Sequence, residues 1–479
     1  MAEWKSICII AADFKICFYL QKSTHMKKFF FAFALCAVAA CIFMFSSCKN
    51  APKQDEAEFS LPSNETDEQK AERMQWWTDA RFGMFVHWGL YAMPARHEWV
   101  KHYERMTNEQ YQVYFDNFNP DLFCPKEWAR MAREAGMKYV VLTSKHHEGF
   151  CLWDSKYTDY KATNTPAGRD LLKEFVDAFR AEGLRIGFYY SLIDWHHPDF
   201  TIDRMHPQRI DGGTPEDYAK LNVGKNMDVY RQYMKDQVTE LLTNYGKIDI
   251  MWFDFSYPGP TGKGHEDWDS EGLLKLARTL QPGIIVDNRL DLNDVWGGWD
   301  ILTPEQYRVD KCCEWNGKKV HWETCQTFSG SWGYYRDETS WKSNRELIDL
   351  LSETVSKGGN LLLNVGPTSR GEFDYRAQER LRDMGRWMHG NSRAIYGCGE
   401  APDAFAAPDS TLLTYNSKAN RLYVILRNYP AKVKATFMDK VKYAQFLHDG
   451  SEVKFDAEGF NLPSLRPNQE LPVIEVLLK

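Results

Sequence analysis

This chain of 479 residues has little of what marks a metal protein, a nucleic-acid binder or a disulfide-stapled domain. Of its 11 cysteines, five (Cys8, Cys17, Cys36, Cys41, Cys48) crowd the start of the chain. The other six (Cys124, Cys151, Cys312, Cys313, Cys325, Cys398) have no regular CxxC spacing. Neither a zinc site nor a dense disulfide framework is indicated. No basic run occurs outside short helix faces and the net charge is -7, so the electrostatic footprint of a nucleic-acid partner is missing. No internal repeat is visible. The one long apolar run, Phe29 to Phe45, is too short for a comfortable membrane span.

That run has a charged entry, Met26-Lys27-Lys28, and a small-residue exit, Phe45-Ser46-Ser47-Cys48. Together they read as a bacterial lipoprotein signal, with Met26 the natural start and Cys48 acylated as the first mature residue. A transmembrane anchor is the alternative. The lipoprotein reading predicts an exported protein held at the periplasmic or outer-membrane face only by its lipid. Residues 49–67, rich in Asn, Pro, Lys, Asp, Glu and Ser, read as a tether. The sequence is silent on oligomeric state.

What is abundant is aromatic: 14% of the chain, with 17 Trp and 24 Tyr. Such faces suit either a large core or sugar C–H groups. The rest of the chain alternates helix-period and strand-period segments. Helices are expected over 126–135, 170–181, 227–245, 270–280 and 341–356, most of them closed by glycine. Strands are expected over 84–86, 139–144, 185–191, 248–253, 284–288 and 361–365. Repeated βα units with short turns imply a parallel sheet. Residues 68–395 are long enough for a (β/α)8 barrel with long loops. After Tyr396 short strands at 411–415, 421–426 and 471–478 predict an α/β chain ending in an antiparallel β-sandwich over 396–479.

In such a barrel the chemistry sits at the C-terminal ends of the strands. Here those ends carry His87-Trp88-Gly89, Lys145-His146-His147-Glu148-Gly149, Asp194-Trp195-His196-His197 and Asp254. Asp254 ends an apolar strand, and Phe255-Ser-Tyr-Pro-Gly259 after it is no helix start, so capping is a poor explanation. Ile250, Trp252 and Asp254 share one face, which aims the carboxylate into the mouth. A carboxylate there suits a glycosidase nucleophile. His146 and His147 would bind metal only with a third ligand of suitable geometry, and a hydrolase built on His87, His146 and His147 would need metal. Imidazoles serve equally as partners of sugar hydroxyls.

The segments Ala80-Arg-Phe-Gly-Met-Phe-Val-His-Trp-Gly-Leu-Tyr91, Glu98-Trp99, Ser144-Lys-His-His-Glu-Gly-Phe150, Gly187-Phe-Tyr-Tyr-Ser191, Met251-Trp-Phe-Asp254, Asn288-Arg289, Trp322-Glu-Thr-Cys325 and Ser331-Trp-Gly-Tyr334 resemble the retaining α-L-fucosidases of glycoside hydrolase family 29. The resemblance covers roughly residues 70 to 400. It implies a catalytic barrel followed by a β-sandwich, a fucosylated glycan as substrate, and no metal or other cofactor. It implies Asp254 as nucleophile, and His87, Glu98, Trp99, His146, His147, Tyr190 and Arg289 as the sugar-binding shell. Trp252, on the face of Asp254, is counted with them. Two carboxylates compete for general acid/base. Glu305, in Asp300-Ile-Leu-Thr-Pro-Glu-Gln306, resembles the family segment that supplies the acid and is favoured. Glu323, in Trp322-Glu-Thr, suits a buried structural carboxylate equally well. The expected reaction is retaining release of a terminal α-L-fucosyl residue. An α-L-galactosidase, or a carbohydrate-binding lipoprotein without catalysis, is the alternative.

Overall fold

The computed structural model describes residues 65–293 and 297–479. The expected signal peptide, Cys48 and nearly all of the expected tether lie outside the described residues.

The chain enters on helix α1 (Asp67–Ala80), started by a Thr66/Gln69 capping box, in which each side chain satisfies a backbone N–H of the other's turn. Seven parallel strands follow: β1 (Phe82–Val86), β2 (Tyr139–Lys145), β3 (Arg185–Ser191), β4 (Ile250–Asp254), β5 (Ile285–Val286), β6 (Glu323–Thr327) and β7 (Asn360–Val365). They form one sheet in the order β5-β4-β3-β2-β1-β7-β6. Helices α2 (Pro125–Glu134), α3 (Leu171–Ala181), α4 (Met227–Thr243), α5 (Ser270–Leu280) and α6 (Asn344–Ser356) lie between strands, and α7 (Tyr375–Asn391) follows β7. The α6 start differs from expectation. Ser343 and Glu346 make a capping box there, so the helix begins at 344 although the apolar spacing runs back to Trp341.

The strands are buried along almost their whole length, as expected where helices cover the outer face of a parallel sheet. The inner face carries its own core: Phe85, Tyr139, Val141, Tyr189, Ile250, Trp252, Ile285, Cys325 and Leu362, with Met74 and Trp77 of α1 packed on it. The sheet curls around this cluster. Beyond β5 and β6, isolated parallel bridges join Asp287 to Ile301, Leu302 to Trp322 and Glu305 to Cys325, and Ile301 belongs to the same inner cluster.

The C-terminal part forms two antiparallel sheets. One is four-stranded, from β8 (Thr411–Asn416), β9 (Arg421–Leu426), β11 (Val441–Phe446) and β14 (Val473–Leu478); the other is three-stranded, from β10 (Lys432–Lys434), β12 (Lys454–Asp456) and β13 (Gly459–Asn461). Period-2 alternation divides their side chains. Leu412, Ile425 and Val473 join the core shared with Trp387 and Met388 of α7. Leu413, Val424 and Ile474 instead pack with Val433 and Phe460 from the smaller sheet. Strands β10 to β13 are too short or too polar to stand out in the sequence.

Candidate active site

Asp254 is the last residue of β4 and is only 7% exposed. Tyr189 donates its hydroxyl to Oδ2 at 2.7 Å and Arg289 donates Nη1 to Oδ1 at 2.8 Å. The carboxylate is thus oriented from both sides by donors, one of them charged. Immediately after it, Phe255 adopts φ of 80°, a left-handed conformation that costs a bulky residue on the order of 1–3 kcal/mol. That turn places the Phe255 ring against His147, at 4.9 Å, and Trp99, at 5.2 Å.

Arg289 follows β5 in a single 3-10 turn, Asn288–Leu290. Its second nitrogen, Nη2, meets Glu305 Oε2 at 2.8 Å. Thr303 fixes the guanidinium through Nε and through its own carbonyl, and Asn288 in turn binds Thr303. Beneath it lies the Trp252 ring, 4.4 Å from Cζ. Burial works against the charge on Arg289, but Asp254 above all outweighs it, and the pKa stays well above its ordinary value. One guanidinium therefore holds Asp254 and the exposed Glu305 side by side at the mouth.

Three histidines make the opposite wall. Asn364 donates Nδ2 to the Trp332 carbonyl, so its oxygen accepts from His87 Nδ1 at 2.7 Å. That puts the His87 proton on Nδ1 and leaves Nε2 as an acceptor. Ser191 donates to the Ile193 carbonyl and accepts from His147 Nδ1 at 2.6 Å. His147 Nε2 is then a lone pair, 4.0 Å from Asp254 Oδ2. His146 stacks on Tyr189 at 5.6 Å, and its Nδ1 is buried without a partner. Burial holds all three imidazoles neutral: His87 is pushed down to about 3, and His146 and His147 well below the ordinary value. Among the described residues no cluster of three His, Cys, Asp or Glu side chains is arranged for a metal ion.

A buried ion pair holds this wall in place. Lys145 meets Asp194 at 3.1 Å, and Asp194 Oδ1 accepts the N–H groups of His196 and His197 at 2.9 Å each. Gly149 turns here with φ of +84°, and any side chain on it would run into the Asp194 carboxylate. Glu98, 1% exposed, accepts from Ser331 and from the Gly333 N–H through Oε2. Its Oε1 has no hydrogen-bond partner, because His97 Nδ1, 3.3 Å away, already accepts the Trp99 N–H.

Two residues expected in the site stand elsewhere. Tyr190 faces outward and donates to Gln237 on α4 at 2.8 Å. Successive strand residues point to opposite faces, and it is Tyr189 that looks inward. Glu323 is the first residue of β6, at the end of the sheet away from the mouth. It takes the Tyr139 hydroxyl, and burial pushes its carboxyl up to about 7. Trp252 lies below the mouth as support for Arg289 rather than as an exposed sugar platform. Sequence reasoning missed Tyr189, Ser191, Thr303, Trp332 and Asn364. Asn364 had a signal: an amide set inside a buried apolar strand, as in Asn360-Leu-Leu-Leu-Asn-Val365, must have buried partners.

Two carboxylates on one guanidinium, walled by neutral imidazoles and indoles, place the chain among the glycoside hydrolases that work with a carboxylate pair. It belongs to the alpha-L-fucosidase family. The family model described as Alpha-L-fucosidase matches residues 46–393. The chain is 33% identical over 344 residues to the plasma alpha-L-fucosidase of Homo sapiens, covering 67% of this chain and 68% of that one. It is similar to the solved alpha-L-fucosidase isoenzyme 1 from Paenibacillus thiaminolyticus, with 43% identity, a TM-score of 0.79, and coverage of 86% of this chain and 99% of that one. The trapped covalent intermediate of a Bacteroides thetaiotaomicron fucosidase with 2-fluoro-fucosyl fluoride matches at 29% identity and a TM-score of 0.73, over 85% of this chain and 96% of that one.

Proposed function

We propose that this enzyme removes terminal α-L-fucosyl residues from glycans by double displacement, with Asp254 as nucleophile and Glu305 as general acid/base. The carrying observation is the shared guanidinium: Arg289 contacts Asp254 and Glu305 at 2.8 Å each. Two carboxyl groups so joined suit the separation of about 5–5.5 Å that a retaining mechanism uses. Asp254 attacks the anomeric carbon while Glu305 protonates the departing oxygen. Glu305, exposed to solvent, then takes a proton from water as the sugar ester is hydrolysed. The acceptor nitrogens of His87 and His147 and the free oxygen of Glu98 suit sugar hydroxyls. The Phe255 and Trp99 rings suit the C6 methyl.

We further propose that the sheet closes into a (β/α)8 barrel, with residues 301–302 as the remaining stave between β5 and β6. The bridges at Asp287, Ile301, Leu302 and Trp322 support this. Cys48 as the acylated residue, with export to the periplasmic or outer-membrane face, rests on the sequence alone. The direct test of mechanism is incubation with 2-fluoro-fucosyl fluoride and mapping of the modified peptide. Label on Asp254, with retention in the first product seen by NMR, is expected; label elsewhere or inversion refutes it.

A further inference from the structure

Next to the sugar pocket, one indole away, lies a second cavity of about 80 Å³. Trp195 is the shared wall: its ring lies 5.4 Å from His147 and 5.3 Å from Trp99 on one side, and it lines the cavity on the other. The remaining lining includes His197, His206, Gln208, Asn108 and Lys225, and no carboxylate. Its donors are well defined. The N–H of Asp199 binds His197 Nδ1 and the N–H of Gln208 binds His206 Nδ1, each at 3.1 Å. Both rings therefore carry their proton on Nε2. Lys225 gives one of its three N–H groups to the Pro198 carbonyl, which leaves two. Asp199, the nearby carboxylate, is engaged by the Asn226 N–H at 3.0 Å and does not line the cavity.

We propose that this cavity is an anion subsite, taking a sulfate or carboxylate group carried by the sugar to which fucose is attached. The inference rests on the fucosidase reading for the identity of that sugar, and not for the anion site itself. Two imidazole N–H groups and one ammonium face a lining that holds no carboxylate, with Asp199 acting on Lys225 only from outside it, and form a donor set suited to an oxyanion. Burial lowers the pKa of Lys225, a cost that an incoming anion offsets. The space holds several waters or a compact anionic substituent.

The test uses the full-length protein and calorimetric titration with sodium sulfate and with sodium acetate at constant ionic strength. Saturable binding of at least one anion is expected for the wild type and for Lys225→Arg. It should weaken about tenfold or more in Lys225→Met, as when one charged donor is lost. Sulfate without acetate assigns a sulfate ester, and the reverse a carboxylate. No saturable binding, or binding unchanged in Lys225→Met, overturns the site. Paired fucosylated disaccharides with and without the anionic group then follow. A lower KM for the charged member, lost in Lys225→Met, is expected. Anion binding with no such preference means an adventitious ion only, and overturns the subsite. Hydrolysis of an uncharged aryl α-L-fucoside is expected to be equal in all three proteins. Its absence from the wild type would sink the fucosidase reading, while the titration still decides the anion site.

Discussion

Glu323→Gln separates a structural carboxylate from a catalytic one. Glu323 is fully buried. The Tyr139 hydroxyl binds one oxygen, while the other oxygen and the indole N–H groups of Trp77 and Trp252 stand near one another without completed hydrogen bonds. Burial raises the carboxyl from its ordinary 4.5 to about 7. A raised carboxylate pKa means that the folded state holds the proton more tightly than the unfolded chain. The associated stability is complete below about pH 4.5 and is lost as pH rises through about 7. That rise corresponds to about 3 kcal/mol in full. Most of it is lost between about pH 5 and pH 8. Glutamine cannot ionise, so the variant should lack this part of the pH dependence whatever its absolute stability. Urea unfolding of both proteins at the two pH values measures it: the wild type should lose about 2–3 kcal/mol more than the variant. Parallel losses would refute the burial argument. A large fall in the variant's turnover of disaccharides, with activated aryl fucosides spared, would refute the structural role.

Other outcomes follow from the same geometry. Glu305→Ala should slow natural disaccharides by about 10²–10⁴-fold and activated aryl fucosides far less, with azide restoring the latter; equal losses on both would remove the acid/base role. Tyr189→Phe removes one donor to the Asp254 carboxylate and should lower kcat/KM about tenfold or more, with an unchanged circular dichroism spectrum; Tyr190→Phe, which removes only the hydroxyl bonded to Gln237, should not. Mass spectrometry of the protein expressed in a bacterium should find a lipid-modified Cys48 as the first residue; an unmodified N-terminus elsewhere refutes the anchor.

The contrast between Tyr189 and Tyr190 shows what the sequence made legible. The strand over 185–191 was plain from its composition, and so was the delivery of function at strand ends. Which of two adjacent tyrosines faces the site depends on parity, and parity is fixed only by register with a neighbour. Ser191 pairs with Asp254 and Tyr189 with Trp252, so the inward face of β4, read correctly from Ile250, Trp252 and Asp254, already selects Tyr189. Glu323 poses a harder case. It shares the inward face of β6 with Cys325 and Thr327, and its register partner is Asn360 at the start of β7. Facing inward is therefore not enough for catalysis; position along the strand decides. A carboxylate at the last residue of a strand reaches the mouth, and one at the first residue is sealed beneath the core. That distinction depends on strand boundaries, which local sequence places least well, because a short strand such as β5, two residues long, is set by its neighbours and not by its own residues. Arg289 escapes the difficulty. It stands just beyond β5, where a long donor spans whatever error the boundary carries, and both carboxylates converge on it.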